Sequence, residues 1–210
     1  MWLQRFTRIL VPLAVLGLAG CGSSGDSRPA ADAGGDVVAG MPAEVTPEAL
    51  TMFEQATAVM AAGDLVDAEL RLKEFLLRYP GFPAAHTNLA IIYSSYGNDD
   101  AALDAIEQAL AVNPDYAPAL NQKGLLLRRN GNFLEAEAAY LKAVTSDPEY
   151  ALAHYNLGVL NELYLQRLDV ALQHFELYQE LVGDDEQVEK WIADLRRRVA
   201  ATQRTANVAD

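Results

Sequence analysis

The sequence predicts an all-α protein, a solenoid of about four helix pairs closed by a C-terminal capping helix. Two observations predict it. Four residue series recur at a spacing of 34: Gly63, Gly97 and Gly131; Ala68, Ala102 and Ala136; Pro80, Pro114 and Pro148; and an aromatic two residues past each proline, Phe82, Tyr116 and Tyr150. A fixed period of that length marks supersecondary units that stack on one another. Beyond the repeats, Val188, Trp191, Ile192, Leu195 and Val199 keep helical spacing, while Glu186, Glu189, Lys190 and part of Arg196-Arg197-Arg198 occupy the opposite face. That is the polar-backed helix an open solenoid end requires.

From the N-terminus, residues 1–8 carry Arg5 and Arg8, and residues 9–20 are apolar apart from the helix-disfavouring Pro12 and Gly17. About twelve apolar residues are too few to span a bilayer but suit the hydrophobic run of a signal peptide. The run ends in Leu18-Ala19-Gly20-Cys21, which resembles the bacterial lipobox, and Cys21 is the sole cysteine. The resemblance implies a signal peptide over 1–20, cleavage before Cys21 and a lipid-modified N-terminus, an effectively stable anchor once two or more acyl chains are attached. Gly22 and Ser23 follow with no Asp after the cysteine. By analogy with enterobacterial sorting, this favours the outer membrane.

Residues 21–46 supply Gly, Ala, Ser, Asp and Pro with almost no large apolar side chain. Such a segment cannot offset the entropy of ordering and reads as a flexible linker with a reach of roughly 25–30 Å.

The helix pairs are expected over 47–82, 83–116, 117–150 and 151–182, the capping helix over 183–203 and a disordered tail over 204–210. Gly63, Gly97 and Gly131 close first helices, where a left-handed residue is needed. Asp64, Asn98 and Asn132 can cap the second helices, and Glu135 completes a capping-box pattern with Asn132. The three alanines are small because helices cross there, and each proline stops its unit. In the fourth unit Ala171 comes one residue late, so the turn near 165–168 is expected to be one residue longer with the pair still antiparallel.

These residues resemble the tetratricopeptide-repeat (TPR) family over about 47–182. The second unit matches at Leu89, Ala90, Tyr93, Gly97, Ala102, Ile106, Ala109 and Pro114. The third matches at Gly124, Leu127, Gly131, Ala136, Tyr140, Ala143 and Pro148, and the fourth opens with His154, Leu157 and Gly158. The first unit is weaker: Gln55 stands where Leu is usual and Phe75 where Ala is usual. The resemblance implies a right-handed α-solenoid whose first helices line a concave groove that binds an extended or helical protein segment. Carried over by repeat position, the groove would show Asn88, Gln122 and Asn156, flanked by Thr87, Ile91, Asn121, Leu125, Arg128, Tyr155, Val159 and Glu162. Carboxamides offer donor and acceptor together and so suit a peptide backbone. A chaperone-type clamp on a terminal carboxylate is not expected, because Phe53, Thr57, Pro118 and Gln122 bring no positive charge to the matching positions.

Composition restricts function further. The chain carries a formal charge of −13, and without residues 1–20 it would hold 14 basic against 29 acidic side chains. That balance excludes counterion-displacing nucleic-acid binding and a grip on anionic lipid through charge. No catalytic set, cofactor motif or metal site is expected. His86 and His154 share one repeat position and are expected at a helix interface, while His174 stands alone on the fourth unit's second helix. Asp99-Asp100 and Asp184-Asp185-Glu186 fall at helix starts, where acids favour the dipole.

The expectation is therefore a lipid-anchored adaptor or scaffold of the bacterial cell envelope, facing the periplasm from the outer membrane. Such lipoproteins serve pilus or secretion, cell-wall or TonB-type systems. The alternative is a structural envelope component that binds peptidoglycan or polysaccharide, which groove aromatics such as Tyr155 would favour.

Overall fold

A computed structural model describes residues 45–183 and 185–209, with side chains as far as Arg204. The expected signal peptide, Cys21 and all but the last two linker positions lie outside the described residues. The described chain forms nine helices: α1 Pro47–Ala61, α2 Leu65–Arg78, α3 Pro83–Ser95, α4 Asp99–Val112, α5 Ala117–Arg129, α6 Phe133–Ser146, α7 Ala151–Leu163, α8 Leu168–Val182 and α9 Glu186–Ala209. They pack as consecutive pairs, α1 on α2 through α7 on α8, with α9 against α8. This is the all-α solenoid the repeat period implies.

Local chemistry sets the helix ends. Thr46 Oγ1 accepts the Ala49 N–H at 3.2 Å to start α1, and Pro47 follows at the first helical position. Asp64 Oδ1 accepts from Asp67 N at 3.0 Å and Asn98 Oδ1 from Ala101 N at 3.2 Å, satisfying N–H groups that would otherwise lack partners. Asn132 occupies the equivalent position without a side-chain capping bond, so the expected capping box with Glu135 does not form. Gly63, Gly97 and Gly131 have φ of +86°, +73° and +80°, the left-handed conformation that their turns demand. Between units, Asn113 and Asp147 turn the chain by accepting the N–H two residues on, at 3.0 Å each.

The fourth intra-unit turn spans residues 164–167, whereas the others span 62–64, 96–98 and 130–132. The extra residue places Gln166 at φ +54°, the only positive φ at a non-glycine residue among those described. A side chain there costs about 1 kcal/mol. Gln166→Gly should therefore leave stability unchanged or raise it by up to about 1 kcal/mol, the gain being reduced by glycine's freedom in the unfolded chain. Chemical denaturation would show this, and a clear loss would mean that the Gln166 side chain stabilises the turn.

Inside each pair, two positions are matched in size. Ala56 faces the core with Leu72 in the first unit, and Ala90 with Ile106 in the second; all four are fully buried. In the third and fourth units the first position is glycine. A Cβ on Gly124 would lie 2.4 Å from Tyr140 Cε1, and one on Gly158 would lie 2.7 Å from Phe175 Cδ1. Both rings are fully buried. The unusual Phe75 is absorbed by an aromatic cluster, meeting Phe82 edge-on at 4.9 Å and Phe53 at 5.5 Å.

The C-terminal end is closed by α9. Val188, Ile192 and Leu195 bury against Phe175 and Tyr178, and the Tyr178 hydroxyl donates to Asp185 Oδ2 at 3.2 Å. Salt bridges Arg196–Glu176 (2.7 Å) and Arg198–Glu162 (2.6 Å) lie at the edges. The tail expected to be disordered from residue 204 is instead helical to Ala209. Residues 203–209 contain neither glycine nor proline, so nothing in the local chemistry stops α9 earlier.

Candidate functional site: the inner helix surface

The first helices α3, α5 and α7 pack on one another as well as on their own partners. That closer approach sets them on the inner surface of the solenoid, where the sequence places its groove candidates.

Six of the eleven groove candidates are largely withdrawn from solvent. Thr87, Asn121, Gln122, Tyr155, Asn156 and Val159 are all buried. Thr87 Oγ1 donates to Pro83 O at 2.8 Å within its own helix. Asn156 Nδ2 donates to Asn121 Oδ1 at 2.9 Å, linking α7 to α5. The Tyr150 phenol also bonds Asn121, while its burial pushes its titration far up. These amides therefore hold neighbouring units in register, as buried polar groups with satisfied bonds do. Tyr155 stacks near Trp191 (6.1 Å), Phe175 (5.9 Å) and Tyr178 (5.3 Å), and Val159 joins the same cluster. The capping helix thus covers what the repeat position alone assigns to the groove, and the aromatic that sugar stacking would need is committed to the core.

Four candidates remain part-exposed: Asn88 and Ile91 on α3, Leu125 and Arg128 on α5. Glu162 is part-exposed too, but its carboxylate is paired with Arg198. Arg128 is different from most cations of this acidic chain. Arg129, its neighbour, donates to Ser94 O and pairs with Asp99, and Arg167 pairs with Glu137 at 2.7 Å. The Arg128 side chain has no hydrogen bond or ion pair among the described residues. The open stretch therefore offers a carboxamide, two aliphatic side chains and an uncommitted guanidinium.

The histidines are arranged more closely than expected. His86 Nε2 lies 3.0 Å from Pro80 O and His154 Nε2 lies 3.2 Å from Pro148 O, the same contact in two units. A carbonyl only accepts, so each Nε2 carries the proton. His174 is not alone: its Nδ1 lies 3.1 Å from His154 Nδ1. With its proton on Nε2, the His154 ring accepts at Nδ1, and His174 Nδ1 donates. The late Ala171 explains the miss, because the inserted residue rotates Phe175 into the core position and leaves His174 beside His154. Burial, then the neighbouring His154, lower the His174 titration to about 4. Among the described residues, no three His, Cys, Asp or Glu side chains are grouped to hold a metal ion, and no helix is long and apolar enough to cross a membrane.

This arrangement defines a class of protein: an all-helical repeat scaffold built of consecutively packed helix pairs. Tetratricopeptide-repeat models match residues 59–123, 97–151 and 121–186, together well over half of the chain, and the chain belongs to the tetratricopeptide-repeat family. Proteins of this family generally act as protein-interaction adaptors. Among solved structures, PilF of Pseudomonas aeruginosa is similar at 25% identity and a TM-score of 0.64, over 74% of this chain and 72% of that one. MamA is similar at 27% identity and 0.53, over 63% and 77%. The first TPR domain of Spaghetti, bound to the HSP90 peptide SRMEEVD, shares the fold at 19% identity and 0.52, over 56% and 95%.

Proposed function

We propose that this protein is a membrane-anchored adaptor of the bacterial cell envelope, lipidated at Cys21 and facing the periplasm from the outer membrane. The part-exposed stretch Asn88, Ile91, Leu125 and Arg128 recruits a segment of a partner protein that carries an acidic residue beside an aliphatic one. The observation that carries the binding half is Arg128, a cation whose side chain has no partner among the described residues, on the inner surface of a strongly acidic chain. The peptide-bound TPR neighbour supports segment recognition by this fold, and the likeness to PilF supports an envelope assembly system, pilus or secretion first among them. The anchoring half rests on the lipobox alone.

Two experiments test the halves separately. Cys21→Ser should abolish palmitate incorporation and move the protein from the membrane to the soluble fraction; continued membrane sedimentation would remove the lipoprotein reading. For the groove, a photo-crosslinking residue at Leu125 should capture a partner in the native cell. Arg128→Glu with Asn88→Ala should weaken that capture by tenfold or more, in line with a lost charge-assisted bond, while circular dichroism stays unchanged. Capture unaffected by the double variant would move the binding site elsewhere on the molecule.

A further inference from the structure

On its outer helix the first unit carries three strongly exposed aliphatic side chains along one seam, where α6 has two, Leu134 and Leu141. Val66, Leu70 and Leu77 on α2 are 74, 66 and 85% exposed. With Lys73 they form one seam at spacings of four, three and four residues, the 3.5-residue period of helix-to-helix pairing. At the same repeat positions α4 has Asp100, Asp104 and Ala111, α6 has Leu134, Ala138 and Thr145, and α8 has Asp169, Gln173 and Glu180. Three large aliphatic side chains at positions that are otherwise mostly polar or small are not a requirement of the repeat.

Charge separates α2 from the other outer helices as well. α4 carries four acids and no base, α8 three acids and no base, and α6 two acids and one base. α2 balances Asp67, Glu69 and Glu74 with Arg71, Lys73 and Arg78, held as exposed i,i+4 pairs such as Arg71–Asp67 at 2.8 Å. Two copies of a chain with net charge −13 repel one another over most of their surface. Across α2 they do not. The acids of its first half, with the capping Asp64, and the mostly basic second half make an antiparallel approach of two α2 helices complementary in charge. Their opposed macrodipoles favour the same orientation. A single self-complementary patch is what a two-fold dimer uses.

We infer that α2 is a homodimerisation face, pairing antiparallel with α2 of a second copy through Val66, Leu70 and Leu77. It lies on the opposite side of the unit from the inner surface, so a dimer presents two binding surfaces, and partners with two copies of the recognised segment gain in avidity.

The test uses two differently tagged copies of the full chain expressed in one cell. Each should co-precipitate the other. Leu70→Glu with Leu77→Glu should reduce that recovery at least tenfold while circular dichroism is unchanged, since both side chains lie outside the core. Leu134→Glu, also exposed but on α6, should leave recovery intact. A photo-crosslinking residue at position 70 should give a band at twice the chain mass containing only this protein. The inference is overturned if wild-type copies do not co-precipitate, if the α2 double variant still does so fully, or if position 70 crosslinks only to a different protein.

Discussion

Gly124→Ala should destabilise the protein by about 2 kcal/mol and lower its unfolding midpoint by several degrees, although the same change in most helices is stabilising. Alanine is favoured over glycine in a helix interior by about 1 kcal/mol. Here the added Cβ would sit within 3 Å of three ring atoms of Tyr140, which is fully buried among other helices. Overpacking of that kind typically costs 1–3 kcal/mol and occasionally more, so it outweighs the propensity gain. Domains of this size shift by roughly 2–4 °C per kcal/mol. The first two units show how the clash is relieved, because each pairs alanine with an aliphatic residue at the same two positions. Tyr140→Leu should therefore rescue Gly124→Ala while being harmful in the Gly124 background, where it leaves a void. A double-mutant cycle should return a coupling of roughly 1–3 kcal/mol, and a coupling near zero would refute the size-matching account. Gly158 and Phe175 should behave alike.

The second large effect is acid sensitivity centred on the histidine pair. His174 titrates near 4 in the fold, against an ordinary value of about 6.5, because burial and the adjoining His154 disfavour its charged form. The unfolded chain therefore binds this proton more readily than the folded one. The pair's contribution to stability is fully present above pH 6.5 and is lost as pH falls from 6.5 towards 4. His174 is half-buried, so screening reduces the loss to about 1–2 kcal/mol. His174→Gln removes the titration but keeps an amide that can donate to His154 Nδ1. Measured by denaturation across pH 4–8, the wild type should lose 1–2 kcal/mol relative to this variant below pH 6.5, with a constant difference above it. Parallel curves would mean that the histidines do not share the bond seen here.

The experiments also separate what was legible in the sequence from what was not. The period of 34 was visible because the residues that make it act locally. Gly63, Gly97 and Gly131 are needed for their own positive φ, Asp64 and Asn98 for N–H groups three residues on, and the prolines for ending their own helices. The late Ala171 likewise gave away the longer fourth turn. It did not reveal that Gln166 would take the left-handed position, nor that Phe175 would take the core place the 34-residue frame assigns to His174. Those outcomes depend on how α8 rotates against α7. The groove was legible only as a set of positions, and six of its eleven residues proved to be buried.

By itself, then, the sequence determined the helix pairs, their order and their ends, since these follow from backbone chemistry within a few residues. The tertiary structure decided which side chains remain available. Asn121 meets Asn156 from 35 residues away, Tyr155 disappears beneath Trp191, and the Arg128 side chain finds no partner among the described residues while Arg129 beside it is engaged. On α2, Val66, Leu70 and Leu77 look like ordinary helix residues until the packing shows that no described helix covers them. Exposure is a sum over neighbours contributed by other helices, and no local pattern contains that sum.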